Sequence, residues 1–355
     1  MTTETICTER KPLNELDFGP NYEEENGSDD TGEESLTVKK FMDDDEDDKP
    51  EVKKKNVRKH LSPIIGERPL TDYIFTDVNK YSFKTWSQCF PDNKITLRSL
   101  IFNPAWYDFF DIIEKKPYFV TMEKKLANYL VNDDTILPFA ELVFNALNIL
   151  SPKQIKVVFI GQDPYPGAEK INNKLIPQAM GFSFSVPLNY PKPLSLANIY
   201  QNLLDFGHIK KIPNTGCLSY WVLQGCLMLN AYLTTIYTKK KEHTAIWKNF
   251  TDDLIMYINN KCDNIVFVAW GGDAHMLCQK IDPYKHHIMT TSHPSPLGYD
   301  KTLNGYAYGK FKNPSDKKRV VYPTFKSTDH FGRINSHLKS INKREIIWDL
   351  FEESI

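Results

Sequence analysis

Four short apolar runs rich in β-forming residues, Lys156–Ile160, Cys226–Leu229, Ile265–Trp270 and His287–Thr291, punctuate the chain from residue 156 onward. They lack polar alternation, the pattern of strands buried on both faces. Between them apolar residues recur at three-to-four spacing: Leu196, Ile199 and Leu203; Ile246, Phe250, Leu254 and Ile258; Ala274, Leu277 and Ile281. Upstream, Trp106, Phe109, Phe110 and Ile113, then Phe119, Met122, Leu126, Tyr129 and Leu130, keep the same helical period. A last helix is expected around Ile334–Ile341. Such alternation predicts an α/β domain, a parallel sheet with helices on both faces, beginning near residue 95. Residues 61–95 show no clear pattern. No repeat of fixed period is present, which argues against a solenoid or propeller.

Charge divides the chain unevenly. Residues 1–50 hold 17 acidic and 5 basic side chains, or −12, so the formal net charge of −1 leaves +11 for the remainder. Residues 1–60 are poor in aliphatics and carry Glu23-Glu24-Glu25 and Asp43–Asp48 before Lys53-Lys54-Lys55 and Arg58-Lys59. A segment of this kind cannot bury enough apolar surface to offset chain entropy and is expected to be disordered. Its basic run reads as a solvated linker, with a nuclear-import or DNA-contacting patch as the alternative. Lys301–Glu345 contains 11 basic and 3 acidic residues, a balance that suits either a polyanionic partner or a solvated surface. The six cysteines sit singly without a CxxC pair, which points to a reducing compartment and no structural zinc. No apolar run of about 18 residues and no signal-peptide pattern is present. The expected location is intracellular, in the nucleus or at a cytoplasmic site of replication, rather than secreted or membrane-spanning.

In open α/β sheets ligands bind beyond the carboxyl ends of the strands, and all four strand ends here carry polar candidates. They are Gly161-Gln162-Asp163-Pro164-Tyr165-Pro166-Gly167, Asn230, Gly271-Gly272-Asp273, and Ser292-His293-Pro294-Ser295-Pro296-Leu297. One carboxylate, one imidazole and one amide among tight-turn residues make a hydrolytic inventory without a metal cluster. Singly, each has a bland reading: Asp163 as a helix cap, His293 as a satisfied polar group, Asn230 as a turn residue, Tyr165 as a packed aromatic. Phe184 alternates with Phe182 in a strand-like run and reads alone as core.

The motifs Gly161-Gln162-Asp163-Pro164-Tyr165 and His293-Pro294-Ser295-Pro296-Leu297 resemble the two signature loops of family 1 uracil-DNA glycosylases. Gly181-Phe182-Ser183-Phe184-Ser185-Val186, Pro191-Lys192-Pro193-Leu194-Ser195-Leu196, Leu229-Asn230-Ala231 and Trp270-Gly271 follow in the family's order. The resemblance covers about residues 96–297 and resumes near His330–Leu350. It implies a single α/β domain with a central four-stranded parallel sheet, no metal or organic cofactor, uracil-containing DNA as the partner, and base excision repair as the setting.

The resemblance also implies the roles. Asp163 and His293 are the catalytic pair. Gln162, Tyr165, Phe184 and Asn230 bind uracil, with Phe184 stacking, Asn230 pairing with the base edge and Tyr165 excluding the thymine methyl. Ser195, Gly271, Gly272 and Ser295 hold phosphates, and Leu297 enters the vacated stack. Three departures stand out: Pro166 where family members commonly have histidine, Gly272 in place of a frequent serine, and an insertion at about 298–328. The rival reading is an accessory factor that keeps the fold and binds DNA or a replication protein. Retention of Asp163, His293 and Asn230 together in their motif contexts disfavours it. The acidic extension is a candidate for recruiting a replication or repair partner.

Overall fold

The computed structural model describes residues 68–309 and 316–350, which all fall within one compact unit, His60–Leu350. The acidic extension and part of the 298–328 insertion lie outside the described residues. The four expected strands are present as β2 (Val157–Gly161), β5 (Cys226–Asn230), β7 (Val266–Trp270) and β8 (His287–Thr291). They form a wholly parallel sheet in the order β5-β2-β7-β8. Every residue of β2 and β7 is buried, the reason these strands read as continuous apolar runs.

Helices flank this sheet. Tyr107–Ile113 (α3), Pro117–Val131 (α4) and Thr244–Lys261 (α8) meet in an aromatic cluster of Phe109, Phe110, Phe119 and Phe250, joined by Phe144 and Trp247. A second cluster gathers Phe159 of β2, Trp270 of β7, Trp221 of Ser219–Leu223 (α7), Phe331 of His330–Ser340 (α10), and Trp348. The last helix begins at His330, earlier than its apolar spacing suggests, because Asp329 caps it by accepting the Gly332 N–H at 2.8 Å. Leu194–Asp205 (α6) and Gly272–Cys278 (α9) complete the helices that bear on the site.

The ordered core reaches well upstream of the expected start near residue 95. Tyr73 and Ile74 of Leu70–Ile74 (α1) and Trp86 of Trp86–Cys89 (α2) are buried. Asn145 Nδ2 donates to Tyr73 O at 2.9 Å, Leu188 N–H to Thr76 O at 2.7 Å, and Trp86 Nε1 to Pro138 O at 2.8 Å. Buried Glu141 accepts the Lys84 N–H at 2.6 Å and lies 3.5 Å from Arg68. The segment is made of single turns docked by side-chain to backbone bonds, and so carries no helix or strand period.

Within the insertion, Leu303–Tyr306 (β9) and Arg319–Tyr322 (β10) pair as an antiparallel hairpin. It is rooted on α9, where buried His275 accepts the Tyr306 N–H at Nε2 (3.0 Å) and holds Nδ1 2.7 Å from Tyr308 Oη.

Candidate active site

In the sheet, β2 is flanked by β5 on one side and β7 on the other, so the chain changes direction at β2 and a crevice opens beyond the strand ends. The loops there are tied together. Ala231 N–H donates to Gly161 O at 2.9 Å, Tyr232 N–H to Gln162 O at 3.0 Å, and Gly271 N–H to Thr291 O at 3.0 Å. Gln162 Nε2 donates to Asp273 Oδ2 across the boundary between β2 and β7.

Two glycines allow the close approaches. A Cβ on Gly161 would lie 2.4 Å from Asn230 Oδ1 and 3.5 Å from Phe184 Cε2, so only glycine lets the carboxamide lie against this strand end. Gly271 has φ 94°, and a Cβ there would lie 3.0 Å from His293 Cβ.

The Gly181–Val186 segment is a turn and not the strand its alternation suggests; Ser183 N–H donates to Met228 O at 3.0 Å and ties it beside β5. Phe184 has φ 63°, an outlier for a bulky residue that persists only where neighbours hold it. Its buried ring lies 5.3 Å from Trp270 and 6.0 Å from His293, centroid to centroid. Tyr165 Oη donates to Phe184 O at 3.3 Å, and burial raises the phenol pKa, keeping the donor protonated.

Asp163 is half-buried and accepts the Lys241 N–H at Oδ2, 3.1 Å away. Burial pushes its carboxyl above the ordinary value of 3.8; the Lys241 N–H and the charges of Lys241 and Lys240 pull it back, while Asp273 adds to the rise. His293 accepts the Ser295 N–H at Nδ1 (2.9 Å), so the ring hydrogen sits on Nε2. Its pKa is lowered to about 4, chiefly by burial; Asp273 opposes the shift, and the charges of Lys241 and Lys240 add to it. The imidazole is thus a neutral donor at physiological pH.

The remaining candidates lie on α6 and on the loops that follow the strands. Half-buried Ser195 is in the first turn of α6, and Asn198 of that helix donates to Pro294 O at 2.7 Å, joining α6 to the His293 loop. Ser295 O accepts from Gly298 and Tyr299 N–H at 2.9 and 2.8 Å, closing the turn that presents Leu297. Leu297 is 81% exposed, which removes the reading of an ordinary core leucine. Gly272 is exposed, with no atom within 4 Å of where a Cβ would stand. Pro166 contributes its carbonyl to the Thr238 N–H at 2.9 Å. Asp273, in the loop after β7, and Lys241 both act on Asp163 and His293; Lys241 carries no sequence signal, because a run of three lysines looks like a solvated face. Among the described residues no group of three or more His, Cys, Asp or Glu side chains could hold a metal ion.

This sheet and crevice accord with the uracil DNA glycosylase superfamily, whose family model matches residues 148–323. A probable uracil-DNA glycosylase of Acanthamoeba polyphaga mimivirus is 50% identical over 299 residues, covering 84% of this chain and 77% of that protein. The uracil-DNA glycosylase of Pseudomonas aeruginosa is 36% identical over 236 residues, 66% of this chain and 89% of its own. The crystal structure of mimivirus uracil-DNA glycosylase superposes with a TM-score of 0.76 at 51% identity, over 80% of this chain and 100% of that one. The chain belongs to the uracil-DNA glycosylase family. It is a hydrolase of the N-glycosidic bond of uracil in DNA, an activity of base excision repair.

Proposed function

We propose that Asp163 and His293 carry the excision from opposite sides of a flipped uracil nucleotide, leaving an abasic site and free uracil. Breaking the glycosidic bond develops positive charge on the sugar and negative charge on the leaving base. Ionised Asp163 stabilises the first and orients the attacking water; the Nε2 hydrogen of His293 bonds the oxyanion developing at uracil O2. Supporting this reading is the tautomer of His293, whose Nδ1 is already occupied by the Ser295 N–H. That single bond leaves the Nε2 hydrogen as the ring's donor and carries the proposal.

Phe184 stacks on the base, and the Asn230 carboxamide accepts from uracil N3–H while donating to O4. Cytosine reverses that pattern and leaves buried groups unpaired, at a cost of about 1–3 kcal/mol each. Gln162, whose side chain is held by its bond to Asp273, contributes to binding the uracil. Ser195, Gly271, Gly272 and Ser295 hold the phosphates on either side of the flipped nucleotide, on single- or double-stranded substrate. Exposed Leu297 fills the vacated stack, as apolar wedges do in other DNA-distorting proteins.

Tyr165 stands where thymine carries its methyl group, so Tyr165→Ala is expected to gain thymine excision while losing about 10- to 100-fold in uracil kcat/KM. Oligonucleotides carrying a single uracil, thymine or cytosine test this directly. Thymine release no faster than by the wild type would remove the steric role, and with it the assignment of this pocket to the base.

The acidic segment lies outside the described residues. We propose that it recruits a replication or repair partner in the nucleus or at a cytoplasmic replication site. Because Arg68 onward packs into the domain, a truncation removing residues 1–67 is expected to leave excision intact while changing partner capture or cellular location. Unchanged behaviour in both respects would sink that role.

A further inference from the structure

The connection from Thr235–Ile236 (β6) to α8 carries Lys239-Lys240-Lys241, and its backbone is held at both ends. Tyr237 N–H donates to Thr135 O, Thr238 N–H to Pro166 O and Lys239 N–H to Ile236 O, each at 2.9 Å, and Thr235 Oγ1 donates to Lys239 O at 2.6 Å. On the far side Thr244 Oγ1 donates to Lys241 O at 2.9 Å, and buried His243 packs on Tyr129 with Nδ1 2.7 Å from Thr234 Oγ1. Thr238 and Lys241 have φ of 67° and 60°, a left-handed conformation that persists in such residues only when surrounding contacts over-determine it. The loop is therefore a rigid platform.

The platform distributes three cations unequally. Lys239 turns away to Asp134 at 3.6 Å. Lys241 aims its N–H at Asp163 and sets its ammonium 3.9 Å from Asp273 Oδ2, in an ion pair whose side chains are 59% and 42% exposed. Lys240 is exposed, and its charge acts on both Asp163 and His293. An exposed pair such as Lys241–Asp273 contributes little and is readily exchanged for a phosphate. Without Lys241, the Asp273 carboxylate would repel a polyanion entering the crevice.

We propose that Lys240 and Lys241 clamp a backbone phosphate of the DNA at the crevice mouth. We further infer that Lys241 is a positioning residue for Asp163, so that seating the strand and steadying the carboxylate are coupled. The clamp stands on charge and placement alone; the positioning role rests on the reading of Asp163 given above.

Lys241→Asn separates charge from shape, since asparagine tolerates the left-handed backbone and keeps the N–H that reaches Asp163. Lys240→Ala removes the neighbouring charge, and Lys241→Arg is the conservative rescue. Each phosphate contact adds about 0.9 to the log–log salt slope on duplex DNA and about 0.7 on single strands. Either loss should therefore shrink the change in KM between about 50 and 200 mM salt by about threefold, and arginine should restore it. The charged and titratable groups facing Asp163 are Lys241 and Lys240 on the loop, Asp273 on α9, and Tyr232 after β5. Removing the Lys241 cation should move the acid limb of single-turnover kcat to higher pH. A residue that merely held the loop would lower kcat equally at every pH. A wild-type salt slope in Lys241→Asn overturns the clamp, and a wild-type acid limb overturns the positioning role. If Asp163→Asn itself cleaved at the wild-type rate, the underlying reading would fail, and the salt slope would still judge the clamp.

Discussion

Asp163→Asn is expected to lower single-turnover uracil release by about 10²- to 10⁴-fold and, at neutral pH, to raise the melting temperature. The two effects share one cause. Burial raises the Asp163 carboxyl pKa in the folded state, so ionisation in the fold is penalised relative to the unfolded chain. As pH rises from the ordinary carboxylate value of 3.8 through the folded value, the wild type loses stability that asparagine retains. The gain of the variant should therefore vanish in acid and be full at neutral pH. Asparagine can still accept the Lys241 N–H, so the loop stays in place. Thermal melts at several pH values, paired with rapid-quench cleavage, measure both signs. A variant both inactive and less stable at neutral pH would mean that Asp163 is structural rather than held at a cost for its chemistry.

His293→Ala is expected to lower kcat by about 10²- to 10³-fold, the usual loss when one preorganised donor to a developing oxyanion is removed, with little change in KM. In the wild type, kcat should show no limb near pH 6.5, since the folded imidazole is neutral down to about 4. A limb near 6.5 that disappears in His293→Ala would instead mark a protonated imidazolium as the active form. The same linkage acts on stability. His243, His287, His293 and His330 are all lowered to about 4, chiefly by burial. Between pH 6.5 and about 4 the unfolded chain takes up protons that the folded protein refuses, so stability falls as pH falls through that window. Each such histidine contributes up to about 1.4 kcal/mol per pH unit, and urea titrations at pH 5 and 7 should show the difference.

The central sheet was legible because β2 and β7 are buried on both faces and so read as unbroken apolar runs, and α8 because Ile246, Phe250, Leu254 and Ile258 mark one helical face. Residues 68–95 were not, since their order comes from bonds such as Asn145 to Tyr73 O and Trp86 to Pro138 O, which leave no periodic trace. Phe184 misled for a related reason: alternation with Phe182 imitates a strand, whereas a left-handed turn places the ring beside His293. The polar residues at the strand ends were visible as types, but their mutual geometry was not. Gly161 under the Asn230 carboxamide and Ser295 setting the His293 tautomer depend on loops brought together only by the parallel register. Lys241 was hidden in a lysine run whose default reading is a solvated face, and only its backbone N–H reveals the link to Asp163.

The most direct measurement is cleavage, in the presence of a chelator, of two matched DNA oligonucleotides, one with a single uracil and the other with thymine at that position. Uracil excision through Asp163 and His293 predicts free uracil and an abasic site from the first strand and no product from the second. Tight binding of the uracil strand with no base released would contradict it and leave a DNA-binding protein on a glycosylase fold.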